Sequence, residues 1–428
     1  MNTIRLWAAA TFTTLFLSFG LNAFGLSPSG FFNAFQLDSQ ALTLGKIAAI
    51  SRDPLSLDAI VTPTCRPIGA SLKDAVASAH AEFPNANCEY VYTGNPAIHA
   101  IPLGWVSATA FGLGMDGTAV ITGLRLLSAA LTALVATWIV LSVSRMYGTP
   151  AAIGTCLAFG ASSYLIAMAG NLYWFPATLL LPAAFAAHEL AGGRSLISLR
   201  FILGITLLLI LRFLSGFEFL TNVMLSVVVV WLAAPRTIQG GVKRIALEGL
   251  VGIATFCVSI ALAIGLHIAL ITPVLGNPNL AWENFLERVL YRTVDVGQEM
   301  SEAMKLSLQV DRMKIVMTYL IEPKVFYGVS FFEFIMLAMA MICIGRIAGR
   351  QVTKATLLVV IAVLASLSWH ILAKGHSEIH ASINHVLASL PAVPILLAIS
   401  AERLAHCLSR VCSISGVRKA RSQKKSKD

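Results

Sequence analysis

Charge is what this chain has least of. Asp, Glu, Lys and Arg make up 12% of its 428 residues, about half the share usual in a soluble domain. With 57% hydrophobic residues and a mean hydropathy of +0.78, that excludes a soluble globular fold and leaves a polytopic membrane protein. Motifs are missing too. There is no Gly-rich phosphate loop and no dinucleotide fingerprint, which argues against an ATP-driven or sugar-nucleotide enzyme, and the order His376-Ser377-Glu378-Ile379-His380 is not the zinc-protease H-E-x-x-H. No internal repeat is visible. Acidic residues are outnumbered 21 to 31 by Lys and Arg, a surplus that would suggest nucleic acid in a soluble chain. Here the basic residues gather in short loops and in the tail 418–427, so the surplus reads as membrane orientation, with no nucleic-acid partner.

Apolar runs cover 4–24, 118–143, 150–169, 175–191, 201–214, 219–234, 246–271, 326–345, 355–373 and 386–404. They predict an all-α fold of about ten transmembrane helices. The first run could also end in a signal-peptide cleavage site at Ala23-Phe24-Gly25, but its roughly 20 residues suit a retained span. Alternation then puts Arg145, Arg194 with Arg200, Arg236 with Lys243 and Arg244, Arg346 with Arg350 and Lys354, and the tail 409–428 on one side. By the positive-inside rule both termini are cytoplasmic and the host is the inner membrane. Two long loops are then exported, 26–117 and 272–325, flanking spans two to seven (118–271) and preceding spans eight to ten (326–408). The stretch 101–114 reads as partial or re-entrant.

In the first exported loop lie Asp38, Asp53, Asp58, Asp74, Glu82 and Glu89. Ser71 can cap a short helix running to Phe83, with Asp74 as its capping-box partner. Cys65 and Cys88 are the loop's two cysteines; they either pair, in an oxidising compartment, or stay as thiols. The second loop opens on the turn-forming Gly276-Asn277-Pro278-Asn279. Trp282, Phe285, Leu286, Val289 and Leu290 follow at helical spacing, with Glu283, Glu287, Arg288 and Arg292 opposite. That predicts an amphipathic helix in the headgroup region, acting as a lid on the first loop or as a guide for a lipid substrate. A second polar helix is expected over 299–319.

The densest polar stretch is 369–385, WHILAKGHSEIHASINH, which sets four of the chain's nine histidines beside Lys374 and Glu378. Ionisable groups between two spans mark functional sites, or merely end two helices at the interface. Topology brings Asp38, Arg212, Glu218, Lys374, His376, Glu378 and His380 to one face of the membrane. If 376–380 is helical, His376 and His380 share a side, Asn384 continues it and Glu378 points elsewhere. Such a pair can bind phosphate, hydrogen-bond at the interface, or hold a divalent metal. A metal needs a third ligand, from His370, His385 or a first-loop carboxylate, and no metal or other cofactor is assigned. Arg212 and Glu218 can neutralise each other. His188 and His267 read as internal hydrogen-bonding residues.

A single span, a large exported loop with an early acidic residue, many further spans and a second exported loop together resemble the GT-C class of integral-membrane glycosyltransferases. The residues that carry the resemblance are Asp38 in FNAFQLDSQALTLGKI, with 212–219 (RFLSGFEF) and 372–384 (LAKGHSEIHASIN) similar to runs in bacterial polytopic proteins of this type. The class's adjacent acidic pair after the first span is absent. The resemblance implies a GT-C-like fold that moves a sugar from a polyprenyl-phosphate donor to a cell-envelope glycan or glycolipid acceptor on the periplasmic face. Asp38 would be the catalytic base; Lys374, His376, His380 and Arg212 would bind the donor phosphate, supported by Glu218, Glu378, Asn384 and His385. Two alternatives stand beside it. A flippase or transporter of lipid-linked glycan predicts discontinuous spans with charge at the midplane, and an envelope-glycan (O-antigen-type) polymerase would lack the carboxylate directly after the first span.

Overall fold

The computed structural model describes residues 2–425 apart from 62, 68–71, 86–87, 236–240, 294–310, 323, 327 and 348–351. In chain order its principal helices are α1 (Asn2–Leu21), α2 (Leu37–Arg52), α3 (Ala100–Gly112), α4 (Gly117–Tyr147), α5 (Thr149–Gly160), α6 (Ser163–Ala169), α7 (Pro176–Ala191) and α8 (Leu199–Leu214). They continue as α9 (Leu220–Ala233), α10 (Gly241–Leu275), α11 (Pro278–Thr293), α12 (Arg312–Ile321), α13 (Phe331–Ile347), α14 (Thr353–Leu372), α15 (Lys374–Ile379) and α16 (Ala392–Lys425). Further short helices cover Ser29–Ala34, Leu57–Val61, Leu72–Ala81 and Ala381–Asn384, and two small antiparallel hairpins pair β1 (Thr64–Pro67) with β2 (Cys88–Tyr92) and β3 (Lys324–Phe326) with β4 (Val329–Ser330).

Among the described residues, five helical segments are long and apolar enough to cross a bilayer: Ile4–Leu21, Gly117–Tyr147, Gly241–Leu275, Thr353–Leu372 and His385–Arg410. The other apolar runs also fold as helices but are shorter. The 16 residues of α7 or α8 rise about 24 Å, less than the ~30 Å of a hydrocarbon core.

The solvent these helices expect is legible in α10. Its buried positions are Glu248, Thr255, Ser259, Ala263, His267 and Ile271, while Leu250, Ile253, Val258, Leu262 and Leu266 lie exposed. Small and polar groups face the protein and branched apolar ones face outward, the reverse of a soluble helix, as packing in lipid requires.

The run 150–169 is not one helix. The Ser162 hydroxyl caps α6 by accepting from the Leu165 N–H, and the same hydroxyl meets Ser389 Oγ at 2.6 Å. Ser389 closes the 3₁₀ segment His385–Ser389 that precedes α16, so two interrupted helices meet at their breaks. Asn222 of α9 braces the same place, its amide donating to the carbonyls of Ala365 (3.3 Å) and Leu390.

In the first long loop, α2 and α3 pack together and β1–β2 closes against α2. Cys65 is disulfide-bonded, and Cys88 sits on the neighbouring strand; the Cys88 side chain, like Ser71 and most of 299–319, lies outside the described residues. The approach of α2 to β1 is close. A Cβ at Gly45 would stand 2.5 Å from Cys65 Sγ and 2.7 Å from its carbonyl oxygen. Gly45→Ala is therefore expected to lower stability by about 1–3 kcal/mol through overpacking, read as a lower melting temperature in detergent.

Candidate functional site

The loop before α3, the turn between α6 and α7, the C-terminal end of α8 and the start of α2 converge on one buried polar nest. Each is tied to another by hydrogen bonds across long sequence separations. The Asn171 amide donates to the carbonyls of Phe35 and Gln36, fixing the entry to α2. Gln40 of α2 accepts from the Leu172 N–H at 3.4 Å, and the Ile98 N–H donates to the Leu214 carbonyl. His99 bonds the Leu172 carbonyl through Nε2 at 2.8 Å and stacks on Phe175. Lys46, 3% exposed, donates to the Pro96 carbonyl at 2.6 Å.

Arg212 and Glu218 lie in the middle of this nest. Both are buried, at 1% and 2% exposure. Arg212 Nη2 donates to the Glu218 backbone carbonyl at 2.8 Å, the Glu218 carboxylate acts electrostatically on the guanidinium, and Tyr173 donates its phenol proton to Glu218 Oε1 at 3.3 Å. Gly216, at φ +148°, leaves room for that carboxylate: a Cβ there would be 2.5 Å from Glu218 Oε2 and 3.4 Å from Asn95 Nδ2.

Four non-glycine residues with left-handed backbones ring the nest: Gln36 (φ 50°), Ala97 (φ 45°), Phe175 (φ 39°) and Phe219 (φ 65°). Each such conformation costs about 1–3 kcal/mol and persists where surrounding structure holds it. Several buried donors have no hydrogen-bond partner among the described residues: Gln40 Nε2, Asn95 Nδ2, Trp174 Nε1 and Arg212 Nε. Buried N–H groups left dry are costly. The nest is thus chemically suited to oxygen-rich groups such as phosphate, sugar hydroxyls or ordered water. Burial pushes Lys46 down to about 7. It also pushes His99 down to about 3 against the hydrogen bond to Leu172, with the positive charges of Arg212 and Lys46 acting in the same direction as burial.

From the nest an aromatic bridge leads to the histidine stretch. Phe219 stacks on Trp174 (5.1 Å between centroids) and meets Trp369 (5.8 Å) and His376 (6.4 Å) edge to face. Trp369 Nε1 lies 3.4 Å from His376 Nδ1. The His376 and His380 rings are 4.6 Å apart, although α15 ends at Ile379 and His380 only caps it; the His380 N–H to His376 carbonyl bond keeps the turn helical enough to align them. Asn384 donates to the His376 carbonyl at 3.4 Å. His370 stacks on Tyr319 of α12 at 3.5 Å, and His385 sits between Tyr319 (4.7 Å) and Tyr164 (5.0 Å). Burial holds the Tyr319 phenol neutral, donating to the Ser377 carbonyl at 2.7 Å.

α11 roofs this region. Its Asn284 accepts from Thr93 at 2.7 Å, Arg288 lies over the Tyr92 ring at 5.1 Å, and Phe285 meets Phe217 and His267, each at 5.4 Å. α11 also packs on α15. Its buried side is Ala281 and Phe285, while Trp282, Leu286 and Val289 are exposed. The helix therefore has one side on the protein and a second apolar side turned outward.

The expected site residues thus divide. Arg212 and Glu218 come together, as do His376, His380 and Asn384, with Phe219 between the two groups. Arg212 lies inside the nest rather than on an open face, so a phosphate would have to enter the nest to reach it. Lys374 is half-buried at the start of α15, and Glu378 is exposed. Asp38, in the first turn of α2, is half-buried and makes no hydrogen bond or ion pair with any described residue. His370 and His385 turn to tyrosines, and among the described residues no three His, Cys, Asp or Glu side chains group as a metal site. Sequence reasoning passed over Asn171, Tyr173 and Trp174, whose signal was an Asn and three aromatics packed into GNLYWF between two apolar runs. It also passed over Gln40, Lys46, Asn95 and His99 in the first loop.

Fold and site together define a helical membrane protein with a buried polar nest at one end of its bundle. No known protein family, no curated protein and no solved structure matches the chain.

Proposed function

We propose that the chain is a GT-C-like glycosyltransferase of about ten spans in the bacterial inner membrane, transferring a sugar from a polyprenyl-phosphate donor to an envelope glycan or glycolipid on the periplasmic face. The observation that carries this reading is the meeting of a donor-lined nest, a histidine pair and a roofing amphipathic helix, with Asp38 in the first turn of the helix that enters the nest and in no ion pair with any described residue. In the reaction the acceptor hydroxyl attacks the anomeric carbon and the bond from that carbon to the phosphate oxygen breaks. The Asp38 carboxylate takes the hydroxyl proton. The phosphate leaves with the bonding electrons and is met by Lys374 and the histidine pair, which act most strongly where water is excluded. The aromatic bridge of Trp174, Phe219 and Trp369 is buried and holds the nest against the histidine pair, and the outward apolar side of α11 offers a surface for the prenyl chain.

The test is turnover of a panel of radiolabelled polyprenyl-phosphate sugars by the purified protein. Asp38→Asn is expected to lower transfer about a hundredfold and His376→Ala about tenfold or more, with both variants folding as wild type. One observation favours transport instead: the helix breaks at Ser162 and Ser389 meet, as in discontinuous transporter spans. Those breaks carry hydroxyls and no ionisable group. Donors that all stay intact, while lipid-linked glycan crosses proteoliposomes, would replace the enzyme with the transporter.

A further inference from the structure

A cavity of about 470 Å³ lies between α4, α5, α7, α9, α14 and α16, away from the nest. Its volume is in the range of ligand sites, and protein interiors tolerate few voids larger than a water molecule. The walls are apolar in effect, because the hydroxyls on them are already engaged. Thr155 donates to the Ala151 carbonyl, Ser226 to the Asn222 carbonyl, and Ser389 pairs with Ser162. Water therefore has little to bind there, and a dry cavity forfeits packing on every wall.

Its dimensions and its charged end identify an occupant. Lining residues run from Ile139 to Tyr147 along α4 and from Pro394 to Arg403 along α16, spans of about 12 and 14 Å at the helical rise. That is close to half of a ~30 Å hydrocarbon core, the depth of one leaflet. Charge appears at one end only, where α4 stops and α14 begins: Lys354, Glu402 and Arg403. Glu402 and Arg403 pair at 3.4 Å. Lys354 makes no hydrogen bond or ion pair with any described residue, so the described lining residues at this end carry one net positive charge. It lies about 24 Å from His370 along α14, at the other end of that helix, and does not share the nest.

The geometry points to a bound anionic phospholipid with one acyl chain in this cavity and its phosphate against Lys354 and Arg403. One chain fills one leaflet's depth, the phosphate neutralises the surplus charge, and the second chain stays in the surrounding bilayer. The inference is independent of glycosyl transfer, and its failure would leave the nest untouched.

The test is native mass spectrometry of the purified protein in mild detergent, with phosphatidylglycerol added back to delipidated material. Wild type is expected to retain one phosphatidylglycerol. Lys354→Glu is expected to lower its occupancy about tenfold, the worth of one charge-assisted hydrogen bond. Ala183→Phe, which fills the wall of the cavity, is expected to abolish retention, with melting temperature reporting that both variants fold. No retained lipid in wild type, equal retention in all three proteins, or retention of polyprenyl phosphate in place of phospholipid would each overturn the assignment.

Discussion

Glu218→Ala is expected to destabilise the protein by about 3–5 kcal/mol, the usual cost of removing the compensating charge from a buried cation. Arg212 is 1% exposed, and the anion acting on its guanidinium is the Glu218 carboxylate, with Tyr173 second. Among the described residues, removing that carboxylate leaves the buried guanidinium with the backbone carbonyl at Nη2, and takes away the Oε1 that accepts from the Tyr173 phenol. The arrangement is costly to break rather than stabilising in itself. Replacing both charges, Arg212→Met with Glu218→Gln, is therefore expected to restore most of the melting temperature that Glu218→Ala loses. Thermal unfolding in one detergent across wild type, the single variant and the double variant decides it. A single variant that melts where wild type does would show that the pair carries no electrostatic burden. A double variant as unstable as the single would show that packing, and not charge, is what Glu218 supplies.

That expectation bears on how the nest reaches the histidines. Arg212 and Glu218 sit at the end of α8, and Phe219 follows directly, held left-handed at φ 65° between Trp174, Trp369 and His376. The backbone carbonyl that Arg212 holds belongs to Glu218, one residue before Phe219. The guanidinium therefore positions the aromatic bridge as well as answering the carboxylate.

What the sequence disclosed and what it hid have physical causes. Apolar runs were legible because lipid leaves the backbone no partner but itself, so each such run folds as helix. Run lengths gave no warning that 150–169 would split, though Gly160 and a Ser162 able to cap were both in place. Arg212 and Glu218 stood out because two opposite charges flanking Ser-Gly between greasy segments have few other reasons to be there. Lys46 was hidden in the apolar pattern LTLGKIAAI, where a lone lysine reads as surface, and its burial depends on the Pro96 carbonyl 50 residues away. Asn171 was hidden likewise, since its two acceptors belong to the entry of α2, more than 130 residues earlier. The spacing of Trp282, Phe285, Leu286, Val289 and Leu290 predicts an amphipathic helix, but not which of those side chains packs inward, because Phe285 finds Phe217 and His267 only through the tertiary fold.

Acid should loosen the protein at His99. Burial holds this imidazole down to about 3 in the folded chain, with Arg212 and Lys46 adding to the same effect, against 6.5 for a free histidine. The native state therefore keeps His99 neutral, donating from Nε2 to the Leu172 carbonyl, while the unfolded chain binds a proton below pH 6.5. Stability from this group is fully present above pH 6.5 and is lost as pH falls from 6.5 toward 3, at a ceiling of about 5 kcal/mol at the acid end. Lys46 works on the alkaline side. Its amine is held down to about 7 against 10.5, so the cost of burying its charge is felt in full below pH 7 and lifts as pH rises through 7 to 10.5. Melting temperature followed from pH 7.5 to 4 should fall in wild type. His99→Gln, whose amide can still donate to Leu172 but does not titrate, should start lower and fall less steeply. Equal slopes in the two proteins would place the acid sensitivity elsewhere, whereas a flattened slope would show that the ring packed between Leu172 and Phe175 is neutral because the nest admits no further positive charge.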